Sequence, residues 1–424
     1  MRMLRILSCG VTALLVAGPV HPLALGGQSG AQQPLFRSST ALVEVDVTAL
    51  DRQGRFVPGL LAEDLSLSED GKPQKIQQFY MVAYDPSRAV DTTTLTRTEA
   101  EERARRFFLF MFDEGHLSAE SLMRAQNGAE AFIRTRMQPG DMAGVFANGR
   151  MNKSRMTDDK AELLGAIRSA TPGIDNRQAA LAPFREFPRI PSENDALRIT
   201  EGARELVDEL GAKACTDDPF QCQLAGGVNQ VENLIQQKSR LYIRTARLLT
   251  STTLDNIRHV TANLTRLLGR KTIVLMTEGF FSEESRAELQ TLAAQAARGG
   301  TTIYTIDARG LVNTMSVNPD ALTPSMARST AFDTGDDGPN ILTSGTGGMM
   351  IHGIDDVNRA IGIVANDTSS YYVIGYQPEN AVMDGTFRNI EVTSRAPGIS
   401  IRARKGYVAV TLPPQEFVRR SGGF

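Results

Sequence analysis

The chain has no tryptophan, only four histidines and only three cysteines. That scarcity nearly excludes a histidine-rich or cysteine-rich metal site. It also lacks an excess of charge of either sign. Its 46 basic residues face 48 acidic ones, for a net charge of −2. Such a balance gives no electrostatic reason to expect nucleic acid as a partner. Three motifs of common chemistries are missing as well: Gly-x-Ser-x-Gly, His-Glu-x-x-His and Gly-x-x-x-x-Gly-Lys. What remains is ordinary. Hydrophobic residues make up 41% and charged residues 22% of 424 positions. This excludes a wholly disordered chain, a collagen-like chain and a multi-span membrane protein. The length suggests two or three domains.

Residues 1–26 read as a secretory signal. Arg2 and Arg5 form the positive start, Ile6 to Val20 the apolar stretch, and Ala24-Leu25-Gly26 the small-residue cleavage region. The apolar stretch is short for a membrane span, which needs about 20 residues. An uncleaved anchor is the alternative. Cleavage removes Cys9 and leaves Cys215 and Cys222. In an exported protein, periplasmic or extracellular, such a lone pair is most simply one disulfide. Two free thiols in a reducing compartment are the other possibility.

Residues 27–40 are a Gly-, Gln- and Ser-rich lead-in. In 41–84, Leu42 to Thr48 and Leu65 to Glu69 alternate apolar and polar as half-buried strands do. Asp70-Gly71 marks a hairpin, and Ile76 to Val82 resumes the strand. Residues 85–104 are a polar linker. From 105 to 369 short apolar runs alternate with helical spacings. The runs are Phe107–Phe112, Ala143–Ala147, Ile273–Met276 and Thr302–Ile306. This pattern is that of an α/β domain with a parallel sheet. Two insertions interrupt it. Residues 171–230 carry prolines, the cysteine pair and a short helix near 193–210; residues 311–350 read as a long surface loop. Between them, 231–268 keeps one apolar stripe of helical period, stopped by Gly269. Its basic residues, among them Lys238, Arg240, Arg244 and Arg247, read as a solvated face, with anion binding as the alternative. Residues 370–412 return to short antiparallel-style strands and are expected to pair with 41–84, since neither piece alone buries a core. Residues 413–424 form a tail.

In an open parallel sheet, ligands bind beyond the carboxyl ends of the strands. Three of the buried strands end there in acids: Asp113, Glu278 and Asp307. Such oxygens suit Mg²⁺ or Ca²⁺. They equally suit the N-termini of the following helices. Asp113, His116 and Ser118 have the residue types of a catalytic triad, but neighbours in sequence do not make one. Asp333 to Gly338 hints at a calcium loop but lacks the acidic twelfth ligand and the alternating acids, and so reads as a solvated loop.

Several stretches together resemble the bacterial VWFA-related exported proteins. They are the Val-Pro-Gly-Leu and Glu-Asp-Gly-Lys-Pro text between Val45 and Pro73, Phe108 to Asp113, Pro139-Gly140-Asp141, Thr277-Glu278-Gly279, Tyr372 to Tyr376 and Arg404-Lys405-Gly406-Tyr407. Residues 106–369 resemble a von Willebrand factor A domain. The resemblance implies a Rossmann-like domain, accompanied by the small β-sandwich of the two terminal segments. It also implies a protein-binding role and a metal-ion-dependent adhesion site of the form Asp-x-Ser-x-Ser. Here that site reads Asp113-Glu114-Gly115-His116-Leu117-Ser118. Gly115 and Leu117 supply no hydroxyl, Ser118 falls one residue late, and Glu278 replaces the later aspartate. The threonine of the pattern is expected within 171–190. The metal set is therefore degenerate: Asp113, Ser118 and Glu278, holding Mg²⁺ or Ca²⁺ weakly if at all. The expected function is an exported, non-catalytic protein-binding module using the rim of the sheet, with an unknown protein partner at the envelope or outside. A structural or assembly factor of the envelope without a rim site is the alternative, and a metal-dependent hydrolase the third.

Overall fold

The computed structural model describes residues 42–83, 105–173, 176–280, 285–310, 337–354 and 356–413. The expected secretory signal, the lead-in and the linker proper lie outside the described residues, as do 311–336 with most of the Asp333 to Gly338 stretch.

Alternation produces the first strand, β1 (Val43–Leu50): Val43, Val45, Val47 and Ala49 are buried on one face. In β2 (Leu65–Glu69) the inward residues are Leu65, Leu67 and Glu69. Asp70 and Gly71 follow with φ of 49° and 77°, the left-handed pair that a tight hairpin requires. That hairpin returns only into the two-residue β3 (Lys72–Pro73). Strand β4 (Ile76–Ala83) crosses to a different sheet. The second half of the expected hairpin is thus two separate pieces.

Every residue of β5 (Arg106–Phe112) is buried. Phe108, Phe110 and Phe112 face one helical layer; Phe107, Leu109 and Met111 face the other. A strand covered on both sides reads as a continuous apolar run. Next come α1 (Ala119–Thr135), β6 (Met142–Ala147), β7 (Arg150–Met151) and α2 (Lys160–Arg168). The first insertion folds as α3 (Arg177–Leu181), α4 (Glu193–Thr200), α5 (Arg204–Asp217) and α6 (Pro219–Leu224). The long helix α7 (Val228–Leu264) runs 37 residues. It leads to β8 (Arg270–Thr277), α8 (Arg286–Arg298), β9 (Thr301–Asp307), α9 (Asp337–Thr346), β10 (Met350–Ile351) and α10 (Val357–Asp367).

The central sheet has the order β10-β9-β8-β5-β6-β7, parallel except for β7. From β5 the chain moves through α1 to β6 on one side. From β8 it moves through α8 to β9 on the other. The strand order therefore reverses between β5 and β8, and the crevice at their carboxyl ends is a topological switch point.

Three expectations are corrected here. Among the described residues the first insertion holds four α-helices rather than one, with its own core of Phe184, Leu197, Leu206, Val231, Ile235 and Tyr242 among others. Gly202, at φ 103°, splits the helix expected near 193–210 in two. The long helix ends at Leu264, and Gly269, at φ 114°, instead sets the entry to β8. Within 311–350, Asp337–Thr346 is a helix that buries Leu342 against the sheet.

The last strands are β11 (Ser370–Tyr376), β12 (Phe387–Ser394), β13 (Ser400–Ala403) and β14 (Gly406–Val408). They interleave with the first ones in two four-stranded antiparallel sheets, β13-β1-β11-β4 and β14-β12-β2-β3. Val45, Val47, Leu67, Ile374 and Ile390 share the core between them. The buried Glu69 carboxylate accepts from the hydroxyls of Tyr376 at 2.5 Å and Tyr407 at 3.1 Å. Arginines join this part to the α/β sheet. Arg270 stacks on Tyr371 at 4.0 Å, and Arg404 donates to the carbonyls of Glu44 and Ala297.

Candidate functional site at the switch point

Asp113 leaves the end of β5, with its amide donating to the Met276 carbonyl of β8 at 3.0 Å. Its side chain is buried and saturated. Thr253 Oγ1, from the C-terminal half of α7, donates to one carboxylate oxygen at 2.7 Å. Thr277 Oγ1, the last residue of β8, donates to the other at 2.8 Å. His116 Nδ1 lies 3.2 Å from Oδ1, 3.1 Å from Oδ2 and 3.2 Å from Thr253 Oγ1. An ionised carboxylate can only accept, and the Thr253 hydrogen is already given to it. The contact therefore requires His116 Nδ1 to carry a hydrogen. Burial alone pushes the Asp113 carboxyl up. The His116 ring and the two hydroxyls outweigh that and hold it below the usual aspartate range.

The loop 113–118 is tied down by its own backbone. The His116 amide donates to the Asp113 carbonyl at 2.8 Å, and the His116 carbonyl accepts from the Glu278 amide at 3.3 Å. The His116 ring packs against Phe280 at 5.5 Å. The first insertion closes the same loop from outside, because the Arg177 amide donates to the Gly115 carbonyl at 2.6 Å. The neighbouring Glu114 carboxylate accepts from the Asn148 amide at 2.5 Å, in the β6–β7 turn.

Ser118 and Glu278 serve the start of α1. Ser118 is its N-cap: the hydroxyl accepts from the Ser121 amide at 3.3 Å. Glu278 Oε1 accepts from the Ser118 amide at 2.9 Å. A carboxylate there meets the positive end of the helix and satisfies an otherwise orphaned N–H. Asp307, the third acid of the rim, is engaged with the amide and guanidinium of its neighbour Arg309 at 2.8–2.9 Å. The rim acids thus stay in separate local networks. Among the described residues no three His, Cys, Asp or Glu side chains gather as a metal-binding group.

The threonine expected within 171–190 is not the one at Asp113. Thr253 and Thr277 are the threonines that donate to it; in the sequence Thr277 stands out only within Thr277-Glu278-Gly279, with no role, and Thr253 not at all. Thr253 sits in a helix among Thr250, Thr252 and other small polar residues, with nothing local to single it out. Thr277 ends a strand beside the already conspicuous Glu278. Away from the rim, Cys215 and Cys222 are joined in a disulfide that links α5 to α6. Among the described residues no helix is long and apolar enough to cross a membrane.

Comparison with known proteins finds no matching family model and no matching curated protein. Solved structures do match. One is an aerotolerance-related membrane protein from Bacteroides fragilis NCTC 9343, solved with multiple mutations to serines. It shares 11% identity with this chain at a TM-score of 0.27, over 62% of this chain and 98% of the other. A likeness this weak carries no argument about what the chain does.

Proposed function

We propose that this chain is an exported, non-catalytic protein-binding module of von Willebrand factor A type that engages its partner at the rim of the parallel sheet. The observation that carries the reading is the state of Asp113. It stands at the switch point, where such sheets bind ligands, yet both its oxygens are taken by Thr253, Thr277 and His116. An adhesion-type metal does not fit this set. Gly115 and Leu117 offer no side-chain oxygen, Ser118 caps α1, and Glu278 is spent on the same helix end. A divalent ion would have to displace three protein donors to reach one carboxylate. Nor is the arrangement a nucleophile relay. Thr253 donates directly to Asp113, so His116 is not placed between hydroxyl and carboxylate as a general base must be. Export is supported by the Cys215–Cys222 disulfide.

Pull-down from native envelope fractions tests the reading, with Glu114→Ala and Glu278→Ala compared with the parent chain after folding is checked by circular dichroism. Loss of a specific partner in the rim variants is the expected result. Retention of every partner supports a purely structural or assembly role. Turnover of any substrate by the folded chain, lost in His116→Ala, overturns the non-catalytic reading.

A further inference from the structure

Exposed large apolar side chains are unevenly distributed over the described surface. Phe220, Leu224, Val228, Leu234, Leu241 and Leu248 stand between Phe220 and Leu248, the sandwich exposes Leu61, Met81, Val382, Met383, Phe387 and Val410, and the central sheet and its other helices expose only Met123. Three of the first group form a line on α7. Leu234, Leu241 and Leu248 are seven residues apart and 36%, 53% and 67% exposed. Residues seven apart lie on one stripe of a helix, two turns from each other. The buried stripe of Val231, Ile235, Tyr242 and Ala246 serves the insertion core, so the leucine line is a second apolar stripe, directed away from it.

The charge on this stretch of α7 is one-sided, with Glu232 and Asp255 lying just beyond its two ends. From Asn233 to Leu254 the helix carries Lys238, Arg240, Arg244 and Arg247 and no acid at all. Lys238 is committed to the carbonyls of Glu186, Phe187 and Pro188 at 3.0–3.5 Å. Arg240 and Arg244 are exposed, and neither pairs with a carboxylate among the described residues. They flank Leu241 and, with Gln237 and Thr200 of α4, line an open groove of about 520 Å³.

We propose that this face of α7 is a second interaction surface, which docks an acidic amphipathic helix of a partner protein. The leucines recur once per heptad, so they give a helix laid alongside one apolar anchor per repeat, with Gln237, Arg244 and Ser251 at the intervening seam positions. The arginines beside them match glutamates or aspartates flanking the partner's own apolar seam. A second copy of this chain is disfavoured by the same charges, since it would set arginine against arginine. An anionic membrane is disfavoured by the narrowness of the apolar stripe, because Gln237 and Arg244 interrupt it where an interfacial helix needs a broad apolar face.

The test uses the full chain and a labelled synthetic helix of about three heptads, with leucines at the seam and glutamates beside them. Fluorescence anisotropy is expected to show saturable binding that weakens at high salt. Arg240→Glu/Arg244→Glu and, separately, Leu241→Asp should each weaken it by about tenfold or more. All substituted positions are exposed, so an unchanged thermal melt verifies folding. The charge-reversed chain should in turn bind the matching lysine peptide. Equal binding of parent and variants, equal binding of a scrambled peptide, or no binding would overturn the proposal. So would preferential binding of phosphatidylglycerol vesicles, or concentration-dependent dimerisation lost in Leu241→Asp. Each outcome is independent of the rim variants, so this surface and the rim stand or fall separately.

Discussion

Thr253 donates its hydroxyl to Asp113 at 2.7 Å across 140 residues of chain. One bond thus fastens the C-terminal half of α7 to the end of β5. Removing the hydroxyl while keeping the shape, as in Thr253→Val, should cost about 2 kcal/mol, the scale of a hydrogen bond to a charged group. Asp113→Ala should cost more, about 3 kcal/mol, because Thr253, Thr277 and His116 then all lose a partner inside the protein. Urea unfolding of the two variants measures both. A double variant no worse than Asp113→Ala alone would confirm the coupling; simple additivity would refute it.

Divalent metal should leave this protein's stability nearly unchanged. Ions that bind only the folded state raise its melting temperature by mass action. Melts in chelator and in Mg²⁺, Ca²⁺ or Mn²⁺ are therefore expected to coincide. A clear rise with one metal, abolished in Asp113→Ala, would show that the three donors around Asp113 give way to an ion.

Stability should rise between about pH 8 and 10. Burial pulls the Lys271 ammonium down to about 8, with Nζ donating to the Leu267 carbonyl at 3.0 Å. In the unfolded chain the same lysine titrates near about 10.4. Between those values the unfolded state binds the extra proton, so raising the pH favours folding, by up to about 3 kcal/mol. Above about pH 10 the sign reverses. Tyr304 and Tyr371 are buried and hold their protons when an unfolded tyrosine has lost its own. Denaturant midpoints from about pH 7 to 11 should trace this hump. Lys271→Met should flatten its rising side; an identical slope in that variant would discard the assignment.

Reduction of Cys215–Cys222 should loosen α5 and α6 and little else. The bridge closes a short loop at a separation of 7 residues, within the core of the first insertion. Its effect on chain entropy is local. Hydrogen exchange after reduction is expected to quicken in 204–224 while β5 and β8 stay protected. Global loss of protection would show that the insertion supports the sheet.

Legibility in the sequence followed the range of the interactions. Phe107–Phe112 announces a strand covered on both faces, and Val43 to Val47 one covered on a single face, because burial period is written in adjacent residues. Asp113 and Glu278 stand out as acids at strand ends. Their partners do not. The use of Glu278 depends on where α1 begins, and that of Thr253 on how α7 lies across the sheet. The short helices of 171–230 were hidden for another reason. They are short, from 5 to 14 residues, and their apolar residues meet those of the long helix in one shared core, so each segment carries only a turn or a few of period.

The interleaved sandwich has a consequence for biosynthesis. Tyr376 reaches Glu69 across 307 residues, and β1 finds both neighbours, β11 and β13, only in the last segment of the described chain. As the polypeptide leaves the ribosome, its first strand has an unpaired edge on either side until nearly everything else has been made. Such an edge invites wrong partners and needs shielding in the meantime. It also delays completion of the fold, which is compatible with the proposed export, since a chain threaded through a translocon must not finish folding first. By the same logic, a premature stop anywhere before Ser370 injures the beginning of the molecule as severely as its end.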